Sequence, residues 1–368
     1  MILEELRSKT AIVFGAGASI PPVIGQQDLV LNLLTTPGVE RLFPAQKYLR
    51  AMFPGLKENQ LEVGTLQFED IVGPLEIAES EEYWFHFGGR KKGNKGVVVT
   101  NKTVLDSLDT WVAMALDPKS LPRRPGKYEN DREAVGREYT DFYRPSISSA
   151  LAYARLVDLL EQLQILEVTT FISMNYDILL DRVLYSSGTH MPDYGIDAFY
   201  EKQKTENTDD AAGRKVTLLK LHGSLNWRVC ESCHILRDFK ELVVWPNDRC
   251  SDCENNTGRP MLIRPTLLKD FRHRVWRDIW RRAGHVLASA EKWVFVGYSL
   301  PLADVWMLRL LAQSLKSGPR RSEPRSIIVV NPDRSVKQRF SLLFSNLVFH
   351  EISFSKWIEE CRRNGKIC

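Results

Sequence analysis

Five short apolar runs, each followed at once by a polar or glycine-rich cluster, constrain the fold of this chain more than any other feature. They cover residues 10–14, 168–173, 216–221, 293–296 and 327–330, and segments with helical patterning separate them. Continuous runs rich in β-branched residues are typical of strands buried on both faces, so the pattern predicts an α/β fold with a parallel sheet. Because ligands bind outside the carboxyl ends of such strands, the five clusters predict one shared site.

The composition is that of a folded protein with more than one structural unit. Of the 368 residues, 43% are hydrophobic, and the formal net charge is only +4, which excludes a disordered polyelectrolyte. This length allows two or three domains of roughly 150 residues each, or one large domain with an insertion. The helical patterning predicts a helical insertion at 35–159, a sheet-bearing domain formed by 1–34 and 160–368, and a small cysteine module at 228–258.

The first residues and the short apolar runs predict a protein that is neither secreted nor inserted in a membrane. Glu4 and Glu5 stand where a signal peptide carries basic residues, and no long apolar segment follows them. Runs such as 293–296 are far shorter than the roughly 18 residues that a membrane helix needs. We therefore expect a soluble, cytoplasmic protein without membrane contacts, in which cysteines stay reduced.

Four of the six cysteines have the spacing of a zinc site. Cys230-x2-Cys233 and Cys250-x2-Cys253 are separated by sixteen residues, which lies within the range typical of four-thiolate zinc modules. Four sulfur ligands leave no coordination position for water, so the predicted Zn²⁺ is structural. The alternative is four buried thiols that bind no metal.

The cluster after the first run, Gly-Ala-Gly-Ala-Ser at 15–19, matches part of a dinucleotide-binding loop. Gly15 and Gly17 correspond to its first two glycines, whereas Ile20 stands at the third. Such loops place a pyrophosphate against the N–H groups of the turn and of the following helix. The residues alone leave two interpretations open, a phosphate-binding loop and a plain turn between a strand and a helix.

Two further clusters contain candidate catalytic groups that also have a structural explanation. Asn175 and Asp177 follow the second run, where they cap the helix that begins at Ile178, contact a ligand, or do both. His222 follows the third run and is either a core histidine or a proton acceptor, since histidine is the side chain that changes charge near neutral pH. Its place at a strand end favours the functional interpretation.

The segment 269–282 alternates basic and aromatic residues, including Trp276 and Trp280. One interpretation is a nucleic-acid surface. The other is an amphipathic helix with Phe271, Val275 and Ile279 facing inward and a solvated cationic face. The low overall charge favours the helix, so we expect no direct contact with nucleic acid.

The order of these motifs resembles that of the sirtuin superfamily. Gly-Ala-Gly-Ala-Ser, Ser-Met-Asn-Tyr-Asp, His-Gly-Ser, the four cysteines, Gly-Tyr-Ser-Leu and Val-Asn-Pro-Asp follow one another as in sirtuins. The resemblance implies a Rossmann-like fold with an NAD site and a small zinc module. Residue by residue, it implies catalytic roles for Asn175, His222 and Asp177. It further implies NAD contacts by Gly15, Ala16, Gly17, Ser19, Gly297, Ser299 and Asn331.

Several departures from the sirtuin pattern concern the protein substrate. No Pro-Asp-Phe-Arg loop follows Ser19, Met174 replaces the motif glutamine, and residues 263–266, Ile-Arg-Pro-Thr, stand roughly where sirtuins carry the Phe-Gly-Glu segment that clamps an acyl-lysine peptide. With the helical insertion, these departures make the chain look more like the sirtuin-like NAD hydrolases of bacterial antiphage defence. Those proteins act by depleting NAD.

This resemblance implies cleavage of the nicotinamide glycosidic bond of NAD, to give nicotinamide and ADP-ribose. Two alternatives stay open: an NAD-dependent protein lysine deacylase, and a non-enzymatic module that senses NAD or ADP-ribose or serves as a nucleic-acid adaptor. We expect a homo-oligomer that assembles through the insertion, and a partner such as an ATPase or an Argonaute-like protein encoded nearby.

Overall fold

A computed structural model describes part of the chain, including two sheets, nine helices and the edge of the predicted site. The described residues are 10–19, 30, 33–34, 43–53, 68–80, 100–116, 147–196, 213–230, 232–233, 236–238, 253–254, 258–264, 274–301, 304–317 and 326–367.

The described strands belong to two sheets. In chain order they are β1 (Thr10–Phe14), β2 (Thr169–Ser173), β3 (His190–Asp193), β4 (Arg214–Lys220), β5 (Gly223–Cys230), β6 (Leu236–Asp238), β7 (Gly258–Leu262), β8 (Lys292–Val296), β9 (Ser326–Val330) and β10 (Val348–His350). The described helices are α1 (Phe43–Met52), α2 (Phe68–Ser80), α3 (Asn101–Leu116), α4 (Ile147–Gln162), α5 (Leu179–Ser186), α6 (Arg274–Ser289), α7 (Val305–Ser317), α8 (Ser335–Ser341) and α9 (Phe354–Asn364).

Seven parallel strands form the larger sheet, in the order β3-β4-β2-β1-β8-β9-β10. Without the edge strand β3, this is the 3-2-1-4-5-6 order of the Rossmann fold, whose topological switch point lies between β1 and β8. The predicted α/β fold with a Rossmann-like parallel sheet is confirmed. All five predicted runs form strands. However, β2 begins at Thr169 because Val168 ends a short 3-10 turn, and β4 ends at Lys220, one residue before the end of the predicted run.

The central strands are buried on both faces, as the apolar runs predict. Residues 11–14 of β1 are at most 1% exposed, so helices must cover both sides of this strand. On one side, the rings of Tyr153 in α4 and Phe354 in α9 pack against Phe14. Elsewhere α6 packs against α7. One large apolar core therefore joins the sheet to its helices.

Helices α1, α2 and α3 of the predicted insertion build a second apolar core, which also includes Val30, Leu33 and Leu34 from the segment 1–34. It includes Leu49 from α1, Val72 from α2, and Leu108 and Trp111 from α3. Helix α4 reaches across the predicted boundary at residue 160, and its buried side chains belong to the large core. The domain boundaries themselves stay a prediction.

Helix α6 matches the amphipathic interpretation of the basic segment. Val275 and Ile279 are buried, and so are Trp276 and Trp280, whereas Phe271 lies outside the described residues. Because both indoles pack inside the protein, they present no ring to stack on a base. Among the described helices, none has the length and apolar character required to span a lipid bilayer.

Candidate functional site

Hydrogen bonds continue past the carboxyl ends of the strands and bring the predicted clusters together. The Gly15 N–H donates to the last carbonyl oxygen of β8 at 3.0 Å, and the Met174 N–H donates to the last carbonyl oxygen of β1 at 2.9 Å. The Gly297 N–H donates to the last carbonyl oxygen of β9 at 2.9 Å. The clusters after these strands therefore lie along one edge of the sheet, on both sides of the switch point.

The loops after β1 and β8 meet backbone to backbone at this switch point. A Cβ atom on Gly297, whose φ is +61°, would lie 2.1 Å from the Ala18 nitrogen and 2.3 Å from the Gly17 carbonyl carbon. A Cβ atom on Gly15 would lie 2.6 Å from the Tyr298 Cα atom. Only glycine fits such an approach, because any side chain would push the two loops apart.

The N–H groups of the first loop already have partners inside the protein. The Gly17 N–H donates to the Gly297 carbonyl oxygen at 2.9 Å, and the Ser19 N–H donates to the Ala16 carbonyl oxygen at 3.0 Å. The structure thus gives Gly15 and Gly17 a steric role at the switch point. Contacts of residues 15–19 with a phosphate stay a prediction.

Behind this loop, three predicted site residues form one hydrogen-bonded cluster. The Asn175 side-chain amide donates to the Gly15 carbonyl oxygen at 3.0 Å and to the Ser19 hydroxyl at 3.1 Å. The Ser19 hydroxyl donates to an Asp177 carboxylate oxygen at 2.8 Å and lies 3.2 Å from the Tyr153 hydroxyl. The loop after β1 is therefore tied directly to the loop after β2.

The Asp177 carboxyl is buried, and burial raises its pKa above the ordinary aspartate value. The nearby Lys220 ammonium opposes this shift, as do hydrogen bonds from the Leu179 N–H and the Ser19 hydroxyl. The bond from Leu179 measures 3.1 Å and caps the first turn of α5, as predicted for this side chain. Asp177 therefore caps a helix and at the same time accepts a bond from the glycine loop.

A buried ion pair lies beneath the same loop. The Lys220 ammonium is 3.1 Å from an Asp181 carboxylate oxygen, and both side chains are 1% exposed. The ammonium also donates to the Asp177 carbonyl oxygen. The other Asp181 oxygen accepts a bond of 2.6 Å from the Tyr194 hydroxyl, which accepts one of 3.0 Å from the Asn226 amide. This chain of polar groups connects the site to β5.

His222 is half-buried, with its ring fixed on several sides. Its Nδ1 atom lies 3.2 Å from the Met174 carbonyl oxygen, and since a carbonyl only accepts, Nδ1 carries the hydrogen and Nε2 is the basic nitrogen of the neutral ring. Tyr176 and Trp280 lie beside the ring, each at a centroid distance of 6.3 Å. This tautomer suits His222 to accept a proton.

The loop after β8 is held in an unusual backbone conformation. Leu300 has a φ of +48°, a left-handed value that is uncommon for a residue with a side chain and recurs at functional sites. The buried Tyr298 hydroxyl donates to Asp304 at 2.6 Å, and Arg339 donates to the Ser299 carbonyl oxygen at 3.1 Å. These bonds fix the loop on either side of Leu300.

Asn331, predicted to meet the adenosine, follows β9 at the same edge. Its side-chain oxygen accepts a bond of 2.9 Å from the Asp333 N–H, so it stabilises its own turn. Its backbone N–H donates to the His350 carbonyl oxygen at 3.1 Å. A contact of Asn331 with a nucleotide stays a prediction.

Three of the four predicted zinc ligands lie together. The Sγ atoms of Cys230, Cys233 and Cys253 all lie within 4.8 Å of one another, and those of Cys230 and Cys253 are 3.6 Å apart. Tetrahedral zinc with bonds of about 2.3 Å requires sulfur atoms about 3.8 Å apart, so the three thiols fit this metal. Cys250 lies outside the described residues, and its role as fourth ligand stays a prediction.

Comparison with known proteins finds a family match for part of the chain. Residues 169–350 match the model of a SIR2-like domain. The match supports the sirtuin superfamily. The matched segment contains Asn175, Asp177, His222, Gly297 and the four predicted zinc ligands, whereas the glycine loop after β1 precedes it.

Solved structures similar to this chain include several Sir2 proteins. A Sir2 homologue in complex with NAD shares 14% identity, with a TM-score of 0.47, over 97% of this chain and 90% of that one. A Sir2 homologue mutant with ADP-ribose shares 15% identity, with a TM-score of 0.46, over 97% and 92%. Sir2 bound to a propionylated peptide shares 15% identity, with a TM-score of 0.43, over the full length of both chains. No curated protein matches this chain.

The insertion packs directly on the SIR2-like segment beside the site. Ala113 of α3 forms a buried apolar cluster with Ile178, next to the Asn-Tyr-Asp loop, and with Leu225 of β5. Tyr176 and Leu262 pack against this cluster. Helix α3 therefore contacts the loop after β2 and the two strands that lead to the cysteine module.

An arginine adds ionic contacts to this packing. Arg264 binds both carboxylate oxygens of Asp109 in α3, at 2.8 and 2.6 Å, and reaches Glu76 of α2 at 3.1 Å. The preceding residue, Ile263, donates its N–H to the His222 carbonyl oxygen at 2.8 Å. The insertion is thus linked through two consecutive residues to the backbone of the predicted catalytic histidine.

Sequence analysis missed four residues that complete the site: Tyr153, Asp181, Lys220 and Arg264. Lys220 gave a weak signal, since it is the only charged residue in the run 216–221. Tyr153 and Asp181 lie in ordinary helical patterns. Arg264 lies in the segment that replaces a sirtuin motif, and its partners are 155 and 188 residues away.

Proposed function

We propose that this protein binds NAD at the edge of its larger sheet and hydrolyses the nicotinamide glycosidic bond, releasing nicotinamide and ADP-ribose. The SIR2-like match supports the choice of NAD, and so does the Rossmann-like strand order with its glycine contacts at the switch point. In this proposal Asn175, Asp177 and His222 act at the ribose that carries nicotinamide.

The chemistry needs little from the protein beyond orientation, charge and a base. Nicotinamide leaves with the electrons of its bond to the ribose carbon, which neutralises the ring, and the ribose passes through an oxocarbenium-like state. In its ionised form, the Asp177 carboxylate stabilises this positive charge. Asn175 orients water against the ribose carbon, and Nε2 of His222 accepts the proton that water loses as the new C–O bond forms.

One observation favours hydrolysis over protein deacylation. In a deacylase, the acylated lysine passes between the zinc module and the nucleotide fold to reach the ribose. Here α3 packs on Ile178 and Leu225 in that region, and Arg264, at the place of the peptide-clamp segment, binds Asp109 and Glu76 of its own chain. With its own insertion bound there, the site favours water as the nucleophile.

The test measures nicotinamide release by purified protein with and without an acyl-lysine peptide. We expect release without peptide, and the variants His222→Ala and Asn175→Ala should each lower the rate by about 100-fold or more, as expected for losing a positioned base or orienting group. His285→Ala is the matched control, since His285 is exposed on α6. A requirement for the peptide, or full activity of His222→Ala, would contradict the proposal.

We further propose that the activity depletes cellular NAD in antiphage defence, in a cytoplasmic homo-oligomer that assembles through the insertion. Exposed apolar side chains on the insertion favour such contacts: Phe43 is 53% exposed, Met52 43% and Ile77 49%. A partner ATPase or Argonaute-like protein would raise the rate of NAD cleavage above that of the isolated protein when a phage is sensed. Nicotinamide release in phage-challenged cells tests this role.

A further inference from the structure

The lysine at the end of β4 is withdrawn from water beneath the proposed NAD site. Lys220 lies two residues before His222 and is 1% exposed, as is its partner Asp181. Lysine is almost never fully buried unless it is paired. Moving an ammonium and a carboxylate out of water costs free energy, and this cost often exceeds the attraction between the two charges. Stability alone is therefore a weak explanation for a buried ion pair.

The contacts of this pair converge on the loop that carries the predicted catalytic residues. Residues 174–178 have no regular secondary structure between β2 and α5. From below, the Lys220 ammonium donates to the Asp177 carbonyl oxygen. The Ser19 hydroxyl donates to the Asp177 carboxylate, and the Asn175 side-chain amide donates to the Gly15 carbonyl oxygen. The Leu225 N–H also donates to the Tyr176 carbonyl oxygen at 3.0 Å, so the Lys220 bond is the contact that a charged side chain makes to the backbone of this loop.

We propose that Lys220 is a positioning residue of the nucleotide site: paired with Asp181, it holds the 174–178 loop in the arrangement that directs Asn175 and Asp177 to the ribose bearing nicotinamide. Lys220 acts through Asp177 and does not touch the substrate. This inference rests on the proposed function, which locates that ribose beside the loop.

The charges of the cluster agree with this role. When all three groups are ionised, Asp177, Asp181 and Lys220 carry one net negative charge. NAD brings a cationic nicotinamide ring, and its cleavage develops positive charge on the ribose. A site with one net negative charge attracts the cationic ring and stabilises the positive charge on the ribose. A second ammonium, or the loss of one carboxylate, would remove this net negative charge.

The experiment compares binding of two ligands to the full chain, ADP-ribose and ADP, by titration calorimetry. ADP ends in a phosphate where ADP-ribose carries the second ribose, so the ratio of the two affinities reports the contacts made to that ribose, and comparing variants isolates the part that depends on the 174–178 loop. The main variant is Lys220→Met with Asp181→Asn, which removes both charges and keeps an oxygen to accept the Tyr194 bond. Lys292→Met is the matched control, because Lys292 also donates to a backbone carbonyl, that of Ile367 at 3.0 Å, but at the amino end of β8.

We expect the wild type and Lys292→Met to bind ADP-ribose more tightly than ADP. In the double variant, the ratio of the two affinities should fall at least tenfold. Its affinity for ADP, its zinc content and its Tm should stay close to those of the wild type. If the double variant does not fold, Lys220→Met alone undergoes the same measurement, because it removes the bond to the Asp177 carbonyl oxygen while Asp181 keeps its bond from Tyr194. A variant that keeps the preference, or that loses affinity for both ligands equally, would overturn the inference.

The result also separates this inference from the proposed function. A wild type that prefers ADP-ribose but releases no nicotinamide would refute hydrolysis, while lost preference in the double variant would still support Lys220 as a positioning residue. A wild type that binds both ligands equally would overturn the inference, whereas the proposed function is decided by nicotinamide release.

Discussion

The close approach of the loops at the switch point predicts that Gly297 tolerates no side chain. Gly297 and Gly365 have the same φ of +61°, but they differ in surroundings. A Cβ atom at Gly297 would lie 2.1 Å from the Ala18 nitrogen, whereas a Cβ atom at Gly365 would meet nothing within 4 Å. Alanine at the two positions therefore separates the cost of the backbone conformation from that of the contact.

The magnitude follows from these two costs. A left-handed conformation costs a residue with a Cβ atom roughly 1–2 kcal/mol, and this is the whole expected effect of Gly365→Ala. Gly297→Ala adds the displacement of backbone atoms that have no free rotamer, and overpacking of this kind costs about 1–3 kcal/mol more. We expect the free energy of unfolding to fall by about 2–5 kcal/mol for Gly297→Ala.

Urea unfolding of both variants measures these free energies, and calorimetric binding of ADP-ribose reports the site. Gly297→Ala should also weaken ADP-ribose binding, because the loops that flank the proposed pyrophosphate position must separate. Gly365→Ala should leave binding unchanged, since it ends α9. Equal loss of stability in the two variants, or unchanged binding by Gly297→Ala, would refute the steric argument.

Two other predictions concern the metal and the buried carboxyl. Elemental analysis should find about one zinc per chain. Cys230→Ser and Cys253→Ser should each lose the zinc and lower the stability, whereas the control Cys361→Ser should keep the zinc. A wild type without zinc would contradict this prediction. Burial raises the pKa of Asp177 in the folded protein, so the wild type loses stability as pH rises from the ordinary aspartate value of about 4 towards the raised pKa. Asp177→Asn should therefore gain stability relative to wild type over that range in urea unfolding, while nicotinamide release falls; a stability difference independent of pH would argue against the raised pKa.

The strands and the shared edge were predictable because their signals are local. Each central strand is a run of apolar residues, and each turn residue follows its strand directly in the sequence. The edge strands β3 and β10 lack this signal, since His-Met-Pro-Asp and Val-Phe-His are short and partly polar or exposed. Their pairing depends on neighbouring strands rather than on their own residues.

The contacts that complete the site are not local, and the sequence alone does not predict them. Tyr153 meets Ser19 across 134 positions, and Lys220 meets Asp181 across 39. Each residue has an ordinary helical or strand context, so nothing in its neighbourhood indicates a polar partner. The packing partner of α3 is equally hard to predict from the sequence. Its apolar pattern predicts that one face of the helix is buried but does not indicate which part of the protein covers that face.

The position of β1 has a consequence for how the chain acquires its fold. Thr10 pairs with Thr169, so the central strand meets its first neighbour only after the intervening residues have been made. At about 5–20 residues per second, a nascent β1 would wait roughly 10 to 30 s for β2. Closing so long a loop costs about 2 kcal/mol more than closing one of about 20 residues. Because α1, α2 and α3 have a core of their own, early folding of the insertion would shorten the effective loop and bring the two halves of the nucleotide fold together.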